Sequence, residues 1–516
     1  MDLTAEKTLL VASLAPASNA EALDAARDAA SLPPGVAVEL RLDAMREAPA
    51  FAALRAAFGK RVLIATVRSR DEGGAFSGTE DEEGDFLEGA LAAGFDFADV
   101  EFRRDGGARF AAIPLSKKIS SLHDTEGVPA DLGALVGRML SSGARYVKLV
   151  ATANDSSDVL RLLELQAANP GGRLAVFGMG EAGIATRVLS PYLGGALSFG
   201  ALEPGRTTAP GQVGARDLAD VYGIGRPRRA RRIFALLGDR VSHSLSPALH
   251  NANFEALGQD ALYVPFALRS LGRELPGLVA GLDALGFPFV AASVTIPFKE
   301  EAAHLAQADE KAANTLVRVS GPGVPARFRA ANTDRVAFEQ VVPVGSGRGP
   351  ALVLGAGGTA RVAVEVLRTR GWDVRLVNRT EERGEQLARE TGAIFHSKKS
   401  SEPIPLPAIV VNATALGLRE GDPVPCPREF LRPGVLVIDA PYRPEGTALA
   451  RAAFAAGAAV VDGQTLLLLQ AAGQAARFTG VEVRPSDLLD RLAPRLRANF
   501  TAAWKSRLAT AAEGVS

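Results

Sequence analysis

Up to about residue 225, short apolar runs alternate with stretches whose apolar residues recur at helical spacing. The runs are "KTLLVASLA", "VAVELRLD", "RVLIATVRS", "FDFADVEF", "KISSLHD", "RYVKLVATA", "RLAVFGMG" and "ALSFGALEP". Each is short enough for a strand and bounded by turn residues. Connections such as "NAEALDAARDAA", "VPADLGALVGRML" and "SSDVLRLLELQAAN" carry the helical period, so the strands read as parallel, with both faces covered. Eight strand–helix units in this length predict a closed (β/α)8 barrel within the α/β class. One link does not fit the rule: "RRDGGARFAAIP" is too short and too glycine-rich for a regular helix.

Next comes "YGIGRPRRARRIFALLGD", whose basic run Arg226–Arg232 reads as a solvated interdomain linker, after which "IFALLGD" opens a second α/β region. Further on, "ALVLGAGGTARVAVEVLRTRGWDVRLVNRT" gives strand, glycine turn, helix and second strand within about 30 residues, the pattern of a dinucleotide-binding half. The tail holds two helical patterns, "TLLLLQAAGQAARF" and "SDLLDRLAPRLRANFTAAW". The expected organisation is therefore a barrel over residues 1–225, a second α/β domain over 226–345, a nucleotide-binding domain over 346–465 and helices over 466–516. The first of these helices is expected to pack back on the second domain.

The chain has 516 residues, of which 47% are hydrophobic and 22% charged, enough for the cores of two to four domains. Lys plus Arg and Asp plus Glu both number 58. The zero balance gives no long-range attraction to nucleic acid or an anionic membrane and directs attention to small-molecule chemistry. A single cysteine, Cys426, excludes an internal disulfide and a CxxC metal site, and no metal is expected. "MDLTAEKTLLVASLAP" reads as the approach to a first strand rather than a signal peptide, and no apolar stretch reaches spanning length, so a cytoplasmic protein is expected. Nothing in the sequence selects an oligomeric state.

In a parallel barrel the catalytic side chains come from strand C-terminal ends. Glu39 and Arg41, Arg68 with Glu72 four residues on, His123 and Lys148 all fall there. A lysine within "YVKLVA" that is desolvated by apolar neighbours offers a free amine to a carbonyl, which is Schiff-base chemistry. The alternative is a lysine paired with a carboxylate at the barrel mouth. His123, the only histidine before His243, is the one imidazole available there as general acid or base.

"VELRLD", "RSRDEGG", "SSLHD", "YVKLVATANDSSDVLRLL", "MGEAGIATR" and "TAPGQV" appear in the order and spacing of type I 3-dehydroquinate dehydratase, which this region resembles along nearly its whole length. The resemblance implies that Lys148 forms an imine with the substrate ketone. His123 would remove the adjacent proton and help the hydroxyl leave as water, and Arg187 would hold the carboxylate. Glu39, Arg41, Arg68 and Gln212 would bind ring hydroxyls, with Glu72 and Thr208 completing the substrate set. Thr208 replaces the family's serine, and Thr186 with Arg187 stands for "SR"; both keep the hydroxyl or guanidinium.

In the later region Gly355, Ala356, Gly357, Gly358, Thr359 and Ala360 form the GxGxxA fingerprint at a helix start, where backbone N–H groups meet a pyrophosphate. Asn378, Arg379 and Thr380 end the next strand, where a guanidinium suits a 2′-phosphate and hence NADP(H); Glu381 and Glu382 keep NAD open. "SHSLSPALHN", "SVTIPFKE", "AANTLV", "ANTDR", "VVNATALGL", "IDAPYRPEGTAL" and "DGQTLLLLQAA" together resemble shikimate dehydrogenase. Residues 226–345 would then be its substrate-binding domain and 346–465 its Rossmann NADP domain.

By that resemblance Ser244 and Ser246 bind the substrate carboxylate, and Ser293, Thr295, Asn314 and Gln470 complete its contacts. Lys299 and Asp334 form the catalytic pair, since reducing a ketone needs a proton donor that a carboxylate can orient. Ser293 stands where the family has asparagine, and Arg335 where it has glycine. Both changes bear on quinate against shikimate preference. The two resemblances imply consecutive reactions, from 3-dehydroquinate to 3-dehydroshikimate and then to shikimate. The rivals are a catabolic quinate or shikimate dehydrogenase fused to the dehydratase, and a non-catalytic metabolite-sensing regulator.

Overall fold

The computed structural model describes residues 5–498 and 500, apart from 106, 204–205, 346–348, 398–401 and 444. The expected start of the nucleotide domain at 346 and the end of the helical tail therefore fall outside the described residues. The chain divides into two compact units. One takes the chain up to Pro247 with Leu257–Val290 and Ser320–Ala326; the other takes Ala248–Ala256, Ala291–Val319 and the chain from Arg327.

In the first unit all eight apolar runs are strands: β1 (Leu9–Leu14), β2 (Ala37–Arg41), β3 (Leu63–Thr66), β4 (Phe97–Glu101), β5 (Lys118–Asp124), β6 (Tyr146–Thr152), β7 (Leu174–Met179) and β8 (Leu197–Ala201). They pair parallel in the order β7-β6-β5-β4-β3-β2-β1-β8. The barrel is nearly closed. At the last seam there is no strand ladder; Ala196 N donates to Leu174 O at 2.8 Å, and the rings of Phe177 and Phe199 face each other at 5.9 Å. Val11, Ala37, Ile64, Ile119, Val150 and Ala175 belong to one buried cluster of the barrel.

Helix starts follow their caps. Ser18 accepts from Glu21 N, Thr79 and Glu82 form a capping box, and Asp155 accepts from Ser157 N and Asp158 N just after β6. Among its described residues, the glycine-rich fourth connection holds the short helix Ala108–Ala111 and a 3-10 turn and no longer helix, as its composition predicts. The expected linker is ordered where Arg228 donates to Val221 O at 2.9 Å and Ala261 O at 3.3 Å. Beyond it β9 (Arg232–Gly238) pairs parallel with β10 (Ala261–Ala267).

The second unit holds β11 (Phe289–Val294) from Ala291 on, antiparallel to β12 (Thr315–Arg318), which pairs antiparallel with β13 (Phe328–Ala331). A parallel sheet follows, of β14 (Ala351–Leu354), β15 (Val374–Val377), β16 (Ile394–Phe395), β17 (Ile409–Asn412), β18 (Leu436–Asp439) and β19 (Ala459–Val461). Its order is β16-β15-β14-β17-β18-β19, the doubly wound nucleotide-binding arrangement with its switch point between β14 and β17. Helix Gly463–Thr479 packs on helix Thr333–Val341.

Candidate active sites

The barrel gathers its ionisable residues because neighbouring parallel strands stand in register. Glu101 is level with Ser121, and Ser121 with Lys148. The Lys148 ammonium lies 2.5 Å from Asp99 Oδ2, 3.8 Å from Glu39 Oε1 and 4.5 Å above the Phe199 ring. Lys148 is thus buried, as its apolar run requires, yet its partner is a carboxylate rather than a wholly apolar pocket. Asp99 Oδ1 also accepts from Arg68 Nη2 at 2.8 Å and Ser121 Oγ at 2.5 Å. Despite complete burial, the Lys148 and Arg68 cations hold the Asp99 carboxyl far below the usual carboxylate range.

His123 stands beside this pair. Its Nδ1 lies 3.0 Å from Glu72 Oε2, which also accepts from the His123 backbone N at 2.9 Å and Arg68 Nη1 at 3.2 Å. Burial first, and then the charges of Arg68 and Lys148, lower the His123 pKa well below its ordinary value, so the imidazole is neutral at pH 7. Burial raises Glu72 to about 7 against the pull of Arg68. Glu72, which the sequence placed among substrate contacts, therefore sits against the ring nitrogen of His123 and orients it.

Arg187 is 2% exposed, and burial lowers it to about 10. Its Nη1 reaches Phe199 O at 3.4 Å, whereas Nε and Nη2 have no hydrogen-bond partner among the described residues. A buried guanidinium with two unmatched donors suits an incoming carboxylate. Glu39 accepts from Ser13 Oγ at 2.6 Å and Thr66 Oγ1 at 2.8 Å. Arg41 forks onto Asp43 at 2.8 and 2.9 Å and reaches Thr208 O at 3.5 Å, and Gln212 Oε1 accepts from Thr208 N at 2.7 Å.

Three members of this network escaped the sequence reading: Asp99, Glu101, whose Oε1 lies 3.2 Å from Arg68 Nη1, and Ser121. The signal was present in "FADVE", where two carboxylates two residues apart share one face of an apolar strand.

The second constellation lies within the second unit. Lys299 Nζ donates to Asp334 Oδ2, and at 3.0 Å to Thr359 Oγ1 of the glycine fingerprint. Asn314 Nδ2 donates to Asp334 Oδ1 at 2.8 Å and Gln470 Oε1 at 3.0 Å, while its Oδ1 accepts from Thr333 N at 2.8 Å. Ser293 Oγ donates to Gln474 Oε1 at 2.9 Å, and Gln474 Nε2 to Asn314 O at 3.2 Å. Gln474, four residues past Gln470 on one helix face, was not among the expected residues. Thr295 follows β11, in a turn closed by Phe298 N on Thr295 O at 3.0 Å. Arg335 pairs with Glu365 and, at 3.6 Å, with Glu310. In the first unit, Ser246 N donates to Ser244 Oγ at 3.2 Å.

The fingerprint has the shape a dinucleotide needs. Gly355 has φ +109°, and a Cβ there would lie 2.7 Å from Ala413 O. Space above Gly357 is open, and a Cβ on Gly358 would lie 3.1 Å from Lys299 Cβ. Gly357 caps the 12-residue helix Gly358–Thr369, whose first turn contains Thr359 and buried Ala360. Asn378 Nδ2 donates to Thr380 O at 2.7 Å, and Arg379 is exposed just past β15. Open backbone donors and an available guanidinium fit a phosphorylated dinucleotide.

The family model for type I 3-dehydroquinase matches residues 11–226, and that for the shikimate dehydrogenase substrate binding domain matches 236–316. The chloroplastic bifunctional 3-dehydroquinate dehydratase/shikimate dehydrogenase of Arabidopsis thaliana is 30% identical over 479 residues, 86% of this chain and 77% of that protein. The chain belongs to this bifunctional family. A shikimate dehydrogenase (NADP(+)) of Rubrobacter xylanophilus is 41% identical over 264 residues, 48% of this chain and 91% of the relative. Among solved structures, dehydroquinate dehydratase and shikimate dehydrogenase from S. pombe is similar at 23% identity and TM-score 0.39, covering 95% of this chain and 98% of that one. No helix among the described residues is long and apolar enough to cross a membrane, and no metal-binding cluster of His, Cys, Asp and Glu occurs among them.

Proposed function

We propose that the chain dehydrates 3-dehydroquinate to 3-dehydroshikimate at Lys148 and His123, and reduces 3-dehydroshikimate to shikimate at Lys299 and Asp334 with NADPH. The observation that carries this reading is that one chain builds two lysine–carboxylate centres, each with partners suited to its own step. In the first step the Lys148 ammonium gives a proton to neutral His123, the freed Nζ adds to the substrate ketone, and His123 returns the proton to the carbinolamine hydroxyl, which leaves as water to form the iminium. Neutral His123 takes the adjacent proton while the iminium accepts the electron pair. Elimination of the hydroxyl, protonated by His123, gives the conjugated product, and water releases it from Lys148. Arg187 holds the carboxylate, while Glu39, Arg41, Arg68, Thr208 and Gln212 bind the hydroxyls.

In the second step NADPH, when bound by Gly355–Ala360 and Arg379, supplies hydride. Lys299 delivers a proton to the ketone oxygen, Asp334, itself held by the Asn314 amide, fixes the ammonium, and Thr295 and Gln470 contact substrate hydroxyls. Ser244 and Ser246 bind the carboxylate. In this reading residues 1–225 are the dehydratase, 226–345 and 346–465 the substrate and NADP domains of the dehydrogenase, and 466 onward a helical segment completing it. The partners are these small molecules, and the protein is cytoplasmic.

Incubation with 3-dehydroquinate and NADPH tests the whole reading. Shikimate in the mass spectrum, with stoichiometric loss of NADPH absorbance, is the expected result. Dehydroshikimate without NADPH loss would remove the second activity, and quinate would favour the catabolic enzyme. For the cofactor, Arg379→Ala should raise KM for NADPH about tenfold while leaving the KM for NADH unchanged, because the lost guanidinium meets only the 2′-phosphate. Steady-state kinetics with both nucleotides decide it.

A further inference from the structure

Glu181 opens helix Gly180–Tyr192 immediately after β7, at the catalytic mouth of the barrel. A carboxylate there ordinarily serves its own helix N-terminus. Here one oxygen, Oε1, leaves that helix and accepts from two successive backbone donors, Val241 N at 2.7 Å and Ser242 N at 2.8 Å. Those donors begin the loop that leads to Ser244 and Ser246. Ser244 N closes the loop on Val241 O at 3.3 Å, and Ser246 N binds Ser244 Oγ at 3.2 Å. Ser242 and His243 are exposed, so the loop has little packing of its own at this point.

From this geometry we infer that Glu181, a residue of the dehydratase barrel, is a positioning residue for substrate binding in the dehydrogenase reaction. It fixes the start of the loop whose serines take the carboxylate. The inference rests on that reading of Ser244 and Ser246.

The same face of the barrel holds the dehydrogenase segment at a second place. Glu274 Oε2 accepts from Ser156 N at 2.9 Å, directly after the strand that carries Lys148, while Glu274 Oε1 accepts from Arg269 N at 2.6 Å and Ser270 N at 3.0 Å. Thus two carboxylates, one on each side, join barrel-mouth loops to backbone of the β9–β10 region. The Glu181 link is the one that ends at the serine loop. A carboxylate receiving two backbone donors is a charge-assisted pair, stronger than a neutral contact. Removing it leaves Val241 N, on a buried residue, without its acceptor.

The test uses the full-length protein and two assays on each variant. Glu181→Ala should raise KM for 3-dehydroshikimate about tenfold with kcat nearly unchanged, the signature of lost binding rather than lost chemistry. Its dehydration of 3-dehydroquinate should equal that of the wild type. Glu181→Gln keeps a carbonyl oxygen in the same place and should recover most of the loss. Ser244→Ala, measured alongside, should raise the same KM and thereby verifies the reading on which the inference rests. If Ser244→Ala raises KM and Glu181→Ala does not, Glu181 has no positioning role. If Glu181→Ala lowers both activities together with the melting temperature, its role is structural and the inference is wrong. If neither variant changes KM, the assignment of the serines fails and takes the inference with it.

Discussion

Lys148→Ala abolishes dehydration of 3-dehydroquinate, with a fall in kcat of about 10^4-fold or more, and leaves reduction of added 3-dehydroshikimate at the wild-type rate. The size of the effect follows from what the amine does. Without it the ketone is never converted to an iminium, so the electron pair released on deprotonation has no sink, and neutral His123 cannot remove so weakly acidic a proton. The groups that pair with the ammonium cannot replace it: Asp99 at 2.5 Å and Glu39 at 3.8 Å are both carboxylates, which form no imine.

The fold should survive, because Asp99 keeps Arg68 Nη2 at 2.8 Å and Ser121 Oγ at 2.5 Å after its lysine partner is gone. Lys148→Met, which restores the lost volume, serves as a second variant with the same expected outcome. Product formation is followed by the absorbance of the conjugated enone. Borohydride should trap a mass adduct on Lys148 in the wild type and none in either variant. A variant that still dehydrates, or one that is folded yet loses both activities, would contradict a covalent role confined to the first reaction.

The asymmetry between Lys148 and its partners shows what a sequence can reveal. An amine in "YVKLVA" stands out because nearby residues are apolar, and the eight barrel strands stand out for the same local reason. Asp99 stands out only as half of a carboxylate pair in "FADVE", and its bond to Lys148 arises only when β4 and β6 bring positions 49 residues apart to hydrogen-bond distance. Glu72 was visible as a carboxylate four residues after Arg68, but its contact with His123 spans 51 residues and depends on the turn after β3. The incomplete last seam is likewise invisible in the runs of β7 and β8, which meet only in the fold, where the rings of Phe177 and Phe199 lie 5.9 Å apart. In the second unit the fingerprint glycines were legible from backbone necessity. Gln474 was not, because its partners Ser293 and Asn314 lie 181 and 160 residues away. Arg335 was noticed as a departure, while its ion pairs with Glu365 and Glu310 belong to tertiary structure.

Lys299→Ala should produce the complementary loss: reduction of 3-dehydroshikimate falls about 10^3-fold in kcat, and dehydration is unchanged. Lys299 is the cation of its cluster. Asp334 accepts from it, Asn314 Nδ2 supports the other oxygen of Asp334 at 2.8 Å, and Gln470 is tied to the same amide at 3.0 Å. The ammonium is therefore the group positioned to give a proton to the developing alkoxide, and alanine leaves the Asp334 carboxylate, amides and the Thr359 hydroxyl there in place of a cation.

Asp334→Asn tests the orientation separately. It keeps the shape but weakens the hold on Lys299, so kcat should fall less than in Lys299→Ala, by about tenfold to a hundredfold. The contact of Lys299 with Thr359 Oγ1 at 3.0 Å sets the alternative, because it ties the same ammonium to the nucleotide fingerprint. If the lysine mainly anchors the cofactor, Lys299→Ala will raise KM for NADPH and leave kcat nearly intact. A kcat-dominated loss with NADPH affinity preserved identifies it as the proton donor, and measuring both constants at saturating substrate separates the two roles.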